Sequence, residues 1–151
     1  MLRYLVDTNV LLRTVSKTAA RYHAAREGIA TLLARGDEIV LAPQVLIEFW
    51  SVATRPTEVN GFGWTTEATR DELVALLAQF PLLSETSAVF HEWLRLVTSL
   101  KVVGKQVHDA RIVAVLKVHE IARLLTFNLS DFERYGVEAV SPDDIVGGAR
   151  L

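Results

Sequence analysis

Residues 4–12, "YLVDTNVLL", set a carboxylate between two runs of apolar side chains. Aspartate is seldom buried without partners, because stripping water from its charge is costly. Leu2 to Val6 reads as a short strand that is apolar on both faces, the pattern of a strand inside a parallel sheet. Asp7 then stands at the carboxyl end of that strand, and Asn9 is expected to cap a helix beginning near Val10. Ligands of open α/β sheets bind beyond the carboxyl ends of the strands. Asp7 is therefore a candidate site residue as well as a candidate cap.

The rest of the chain repeats this alternation of short apolar runs and helical segments. A helix is expected from about Ala19 to Arg35, ended by Gly36, followed by a strand in "EIVLA" at 38–42. Pro43 suits the first turn of a helix that runs to Thr54, before Arg55-Pro56 breaks it. "PTEVNGFGWT", 56–65, reads as a long loop with Asn60-Gly61 and Gly63 as turn residues. Thr66–Gln79 and Ser87–Leu100 read as amphipathic helices, and a further helix is expected from Val107 to Glu120. A strand in "RLLTF", a turn opening at Ser130, a strand in "VEAV" and a helix capped by Ser141 complete the chain. This order predicts an α/β fold with a mainly parallel sheet.

The 151 residues are 50% hydrophobic and 23% charged, which suits one folded domain spanning 1–151. Cysteine is absent, excluding disulfides, thiol nucleophiles and zinc–thiolate sites. With no run of membrane-spanning length, a cytoplasmic protein is expected. The formal net charge of −2 is unlike that of a protein holding nucleic acid by charge alone. A polyanionic ligand would need a local basic patch or a bound cation.

Two more carboxylates border apolar surface. Glu48 in "PQVLIEFWSV" shares a helical face with Val45 and Val52, three and four residues away. Asp109 in "VHDARIVAVL" opens a helix and is followed on the same face by Ile112 and Val113. A fourth acid, Asp131, follows Asn128 in "LLTFNLSDF". Each has a plainer explanation: a helix cap for Asp7, an ion pair with Arg55 for Glu48, first-turn acids for Asp109 and Asp131. Three acids from three separated segments would repel one another if they converged, unless a cation lay between them. Hard oxygen ligands with no soft ones point to Mg2+ or Mn2+, and such an ion suits phosphodiester hydrolysis.

"VDTNVL", Glu48 after the second strand, "HDA" and "LLTFNLSDF" together resemble the successive motifs of PIN-domain nucleases, most closely the VapC-type toxins of toxin–antitoxin systems. The resemblance runs through essentially the whole chain and includes the "TRP…NGFG" loop. It implies a three-layer α/β/α PIN-like fold with a central parallel sheet, and an Mg2+- or Mn2+-dependent endoribonuclease. By position, Asp7, Glu48 and Asp109 match the acidic catalytic and metal-binding residues. Asn9 and Thr126 match supporting polar residues. The family's fourth acid aligns with Asn128, an amide, and Asp131 three residues later either compensates or caps. The family also implies an RNA substrate, a cognate antitoxin and a homodimer.

Other features carry less. His108 beside Asp109 is expected to be structural, and His23, His91 and His119 to lie at the surface. Arg13, Arg55, Lys101, Lys105 and Arg111 form either a basic patch or an ordinary solvated face. Trp50 and Trp93 are expected in the core, and so are the apolar faces of 66–100. No HExxH zinc pair and no GxSxG nucleophile elbow is present. A haloacid-dehalogenase-type phosphatase would need Asp at position 9, where this chain has Asn. The remaining alternative is a PIN-like scaffold that binds RNA or protein without cutting, with Asn128 as its sign.

Overall fold

Tyr4, Leu5 and Val6 carry side chains that need burial on both sides of a strand, and the fold surrounds them on both sides. In the computed structural model, which describes residues 1–148, β1 (Arg3–Val6) lies inside a four-stranded sheet with β2 (Glu38–Val40), β3 (Arg123–Leu125) and β4 (Glu138–Val140). The strand order is β2-β1-β3-β4 and every pairing is parallel. The register aligns Val6 with Leu125 and Leu125 with Val140, so the carboxyl ends of β1, β3 and β4 finish level. β1 leads to β2 on one side while β3 lies on the other. The gap above β1 and β3 is thus the topological switch point, where open α/β sheets place their ligands.

Helices cover both faces, giving the expected α/β/α layering. They are α1 (Thr8–Thr14), α2 (Tyr22–Ala34), α3 (Pro43–Thr54), α4 (Thr66–Gln79), α5 (Ser87–Ser99), α6 (Val107–Val118) and α7 (Pro142–Val146). Local signals set several boundaries. Pro43 opens α3, the Thr65 hydroxyl accepts from Ala68 N to start α4, and Ser141 forms a capping box with Asp144 at α7. Fully buried Leu5, Leu41, Phe49, Val113 and Leu124 form part of the core on and around the sheet.

Four expectations change. The first helix begins at Thr8, not near Val10, and Asp7 rather than Asn9 is its N-cap. Any of Asp7, Thr8 and Asn9 has the chemistry of a cap, and the Asp7 N–H bond to Leu125 O (2.9 Å) settles the strand end there. The segment after Asn128 is a run of 3-10 turns, Leu129–Tyr135, with no side-chain cap. Trp50 and Trp93 are half-buried rather than enclosed, and Trp93 Nε1 donates to Val107 O at 2.8 Å. Val74 and Leu77 on α4 and Phe90 and Leu94 on α5 remain exposed, so these helices keep an apolar face outside the core.

The contact between α2 and α7 leaves no room for a side chain at Gly28. A Cβ there would stand 2.8 Å from Pro142 Cβ and 3.0 Å from its Cα. Gly28→Val should cost about 2–3 kcal/mol through overpacking, lowering Tm by roughly 5–10 °C. Thermal denaturation followed by circular dichroism measures it, and an unchanged Tm would refute this packing.

Candidate active site

Asp7 is held by three donors from three directions. Its Oδ1 accepts from Thr8 N (2.8 Å), and its Oδ2 accepts from Thr126 Oγ1 (2.9 Å) and Asn9 Nδ2 (3.1 Å). Thr126 is fully buried and follows β3 directly, placed beside Asp7 by the parallel register. Its hydroxyl also accepts from Asn128 N at 3.0 Å, while Asn9 Oδ1 accepts from Phe127 N at 3.0 Å. Asn9 therefore ties the start of α1 to the chain leaving β3. The donors offset the loss of water around Asp7 only in part. Burial pushes its carboxyl above the usual range, against those hydrogen bonds, and the charge of Asp131 pushes the same way.

Glu48 reaches the same end of the sheet from α3. Its Oε1 accepts from Thr8 Oγ1 at 3.1 Å, so Thr8 joins two acids, donating to Asp7 through its backbone and to Glu48 through its side chain. Glu48 belongs to none of the ion pairs among the described residues, which removes the Arg55 explanation. Burial raises its carboxyl and the charge of Asp7 raises it further, while His108 opposes.

Asp109, in the first turn of α6, is half-buried. Burial, then the charges of Asp7, Asp131 and Glu48, push its carboxyl up to about 6. Asp131 is exposed in the 3-10 turns, close enough for its charge to act on both Asp7 and Asp109. Asn128 is also exposed and enters through its backbone N–H. Asp7, Glu48, Asp109 and Asp131 thus share one electrostatic neighbourhood at the switch point. Among the described residues, no group of three or more His, Cys, Asp or Glu side chains stands ready to hold a metal ion. Like charges with no counter-ion have no reason to close up, and Mg2+ takes only one or two protein carboxylates and fills its shell with water. The hard-oxygen donors present fit such an ion.

Sequence reasoning gave Thr8 no role at the site and left Arg111 between a basic patch and a solvated face. Thr8 is the hydroxyl joining Asp7 to Glu48, and its only signal is its place inside Asp-Thr-Asn. Arg111, two residues after Asp109, donates to Gln44 Oε1 at 3.0 Å and pairs with Glu85. Gln44 Nε2 in turn donates to His108 O at 2.9 Å. These residues, with Ile47, Glu48 and His108, line a cavity of about 410 Å3. The His108 ring is exposed, and its charge lowers the carboxyls of Glu48 and Asp109. His119 Nε2 lies 2.8 Å from Ser84 O, a structural contact away from the acids.

Removing the Thr126 hydroxyl should be measurable without touching a charge. Thr126→Val leaves Asn128 N unpaired and takes one of the three donors from Asp7, costing about 1–3 kcal/mol. Chemical denaturation checks it, and a change below about 0.5 kcal/mol would show that Thr126 does not hold this network.

A profile of the PIN domain matches residues 4–138. Over 142 residues the chain is 25% identical to the ribonuclease VapC24 of Mycobacterium tuberculosis, covering 89% of this chain and 92% of that protein. Its fold is shared with DNA-bound VapBC from Salmonella typhimurium, at a TM-score of 0.70 and 18% identity over 94% of this chain and 99% of that one. It is shared also with VapC20 of Mycobacterium tuberculosis, a toxin that cleaves the sarcin–ricin loop, at a TM-score of 0.65 and 20% identity over 89% and 95%. The parallel β2-β1-β3-β4 sheet, the acids above its switch point and the match to 4–138 agree: the chain belongs to the PIN-domain family.

Proposed function

We propose that this single domain is a divalent-cation-dependent endoribonuclease and the toxin of a type II toxin–antitoxin pair, working in the cytoplasm. What carries the reading is that Asp7, Glu48 and Asp109, from three distant segments, lie close enough at the switch point for their charges to act on one another. Relatives named as ribonucleases support the chemistry, and VapBC complexes among the structural neighbours support an antitoxin partner. The exposed apolar face of α4 and α5 supports a homodimer.

Asp7 and Asp109, with Glu48, would hold Mg2+ or Mn2+. When bound, the ion supplies positive charge against the scissile phosphate and acidifies water. Thr126 and Asn9 fix the Asp7 carboxylate through Oδ2, which leaves Oδ1, accepting only from Thr8 N, with a free lone pair. Thr8 holds Glu48 through Oε1. Burial and the charges of the neighbouring acids raise the carboxyls of Glu48 and Asp109, and a bound cation would relieve that repulsion. Asp131 adds negative charge where the family's fourth acid is replaced by Asn128.

A 5′-labelled single-stranded RNA tests this. Cleavage should require Mg2+ or Mn2+, stop in chelator and return with added metal. Metal at a hundred times its Kd should stabilise the fold by about 2.7 kcal/mol, a rise in Tm of roughly 5–10 °C. Equal degradation in chelator would refute the mechanism. Asn128 and the lack of a ready-made metal cage favour a second reading, a PIN-like scaffold, and RNA bound but never cut with metal present would select it.

A further inference from the structure

A protein of net charge −2 that gathers four carboxylates at its site repels RNA unless cations lie close by. We propose that Arg13 and Arg21, gathered on the ring of Phe127, form a phosphate clamp for the RNA strand beside the scissile position. The inference rests on the ribonuclease reading and names the residues that would hold its substrate.

The guanidinium carbons of Arg13 and Arg21 each stand 5.1 Å from the centroid of the Phe127 ring, within cation–π range. Phe127 is fixed to the acids, because its N–H donates to Asn9 Oδ1 and it follows Thr126, the donor to Asp7. Arg13 Nη1 donates to Asn9 O at 3.1 Å. The platform is thus braced by the residues that position Asp7.

The two cations are poorly neutralised. Arg13 enters no ion pair among the described residues, and Arg21 has only Asp143 at 3.9 Å, with both side chains more than half exposed. So loose a pair in water contributes little. Arg21 also has a left-handed backbone, φ 66° and ψ 17°, which side chains other than glycine rarely adopt. Such strain collects at functional sites. Two like charges on one ring repel, and a bridging phosphate removes that repulsion. Beside Arg13 a cleft of about 230 Å3, lined by Leu12, Ala19, Ala20 and Phe62, offers apolar and aromatic surface to the next base. Cationic groups beside an aromatic wall are how single strands are held without reading sequence.

The test uses the full chain carrying Asp7→Asn, so that the RNA survives, and a fluorescent single-stranded RNA of about 12 nucleotides, a length within single-strand site sizes. Adding Arg13→Gln and Arg21→Asn should weaken binding about tenfold or more, and flatten the dependence of log K on log salt by about 0.7, the share of the one phosphate they bridge. Asparagine tolerates the left-handed backbone, so Arg21→Asn removes charge without adding strain. In the chain with Asp7 intact, the pair should raise KM and leave kcat in place. Arg21→Asn alone should weaken binding about threefold, about half the double effect on a log scale, and serves if the double variant unfolds. Affinity and salt slope unchanged in a folded variant, while the parent binds and the Asp7 chain cuts, would overturn the clamp and leave the ribonuclease standing. A chain that neither cuts nor binds RNA would overturn both.

Discussion

Asp7→Asn is expected to lower RNA cleavage by about a thousandfold while leaving the fold intact. Asp7 presents both carboxylate oxygens in a fixed orientation, with Thr8 N on one and Thr126 and Asn9 on the other. An amide keeps the shape and loses the charge that would bind the cation. Stability should move little, for two opposing reasons. The substitution removes a buried charge whose proton affinity is raised, which favours the fold. It also sets an NH2 group against the amide donor of Asn9 and against a Thr126 oxygen that already accepts from Asn9 Nδ2 and Asn128 N, which opposes it. Asp7→Ala is different, leaving Thr8 N and the Thr126 hydroxyl without their acceptor while Asn9 Nδ2 keeps Thr126 Oγ1, at a cost of about 1–3 kcal/mol. Single-turnover cleavage and Tm, measured on the same preparations, separate the two variants. Asp7→Asn that still cuts within tenfold of the parent would refute the role of Asp7.

The second large effect belongs to Asp109. Its carboxyl is pushed from an ordinary 3.8 to about 6 by burial and by the charges of Asp7, Asp131 and Glu48. A proton affinity higher in the folded chain than in the unfolded one means that protonation stabilises the fold. That contribution is complete below about pH 4 and is lost as pH rises through 6. Asp109→Asn should remove this slope and be more stable than the parent at pH 8 and low divalent metal. The gain is about 1–2 kcal/mol after allowance for solvent screening, or roughly 3–6 °C in Tm. Cleavage should fall about a hundredfold or more, because the group that strains the fold is the one that would face the cation. Mg2+ should stabilise the parent and not the variant. A variant less stable than the parent at pH 8 would show that Asp109 is not crowded by the other acids.

Much of the architecture could be read in advance because its signals are local. Pro43, Thr65 and Ser141 are capping or first-turn residues whose preference depends on near neighbours, and α3 and α4 run as expected, Pro43–Thr54 and Thr66–Gln79. The strands were harder to bound. "EIVLA" and "RLLTF" each contribute only their first three residues to regular strands, and Leu41 instead pairs singly with Leu82 from outside the sheet strands. The sequence offered both Asp7 and Asn9 as caps and could not choose between them, because good caps side by side differ only in what lies opposite.

The site divides along the same line. Residue types alone marked Asp7, Glu48 and Asp109 as acids on apolar surface, and the absence of cysteine left hard-oxygen chemistry. Only the folded chain set Thr126 against Asp7 across 119 positions, put Thr8 between two acids and brought Arg13 and Arg21 to one ring. Composition and local preference are properties of a residue and its nearest neighbours. Hydrogen-bond partners, raised proton affinities and paired cations depend on distance in space, which the parallel register of β1 and β3 decides.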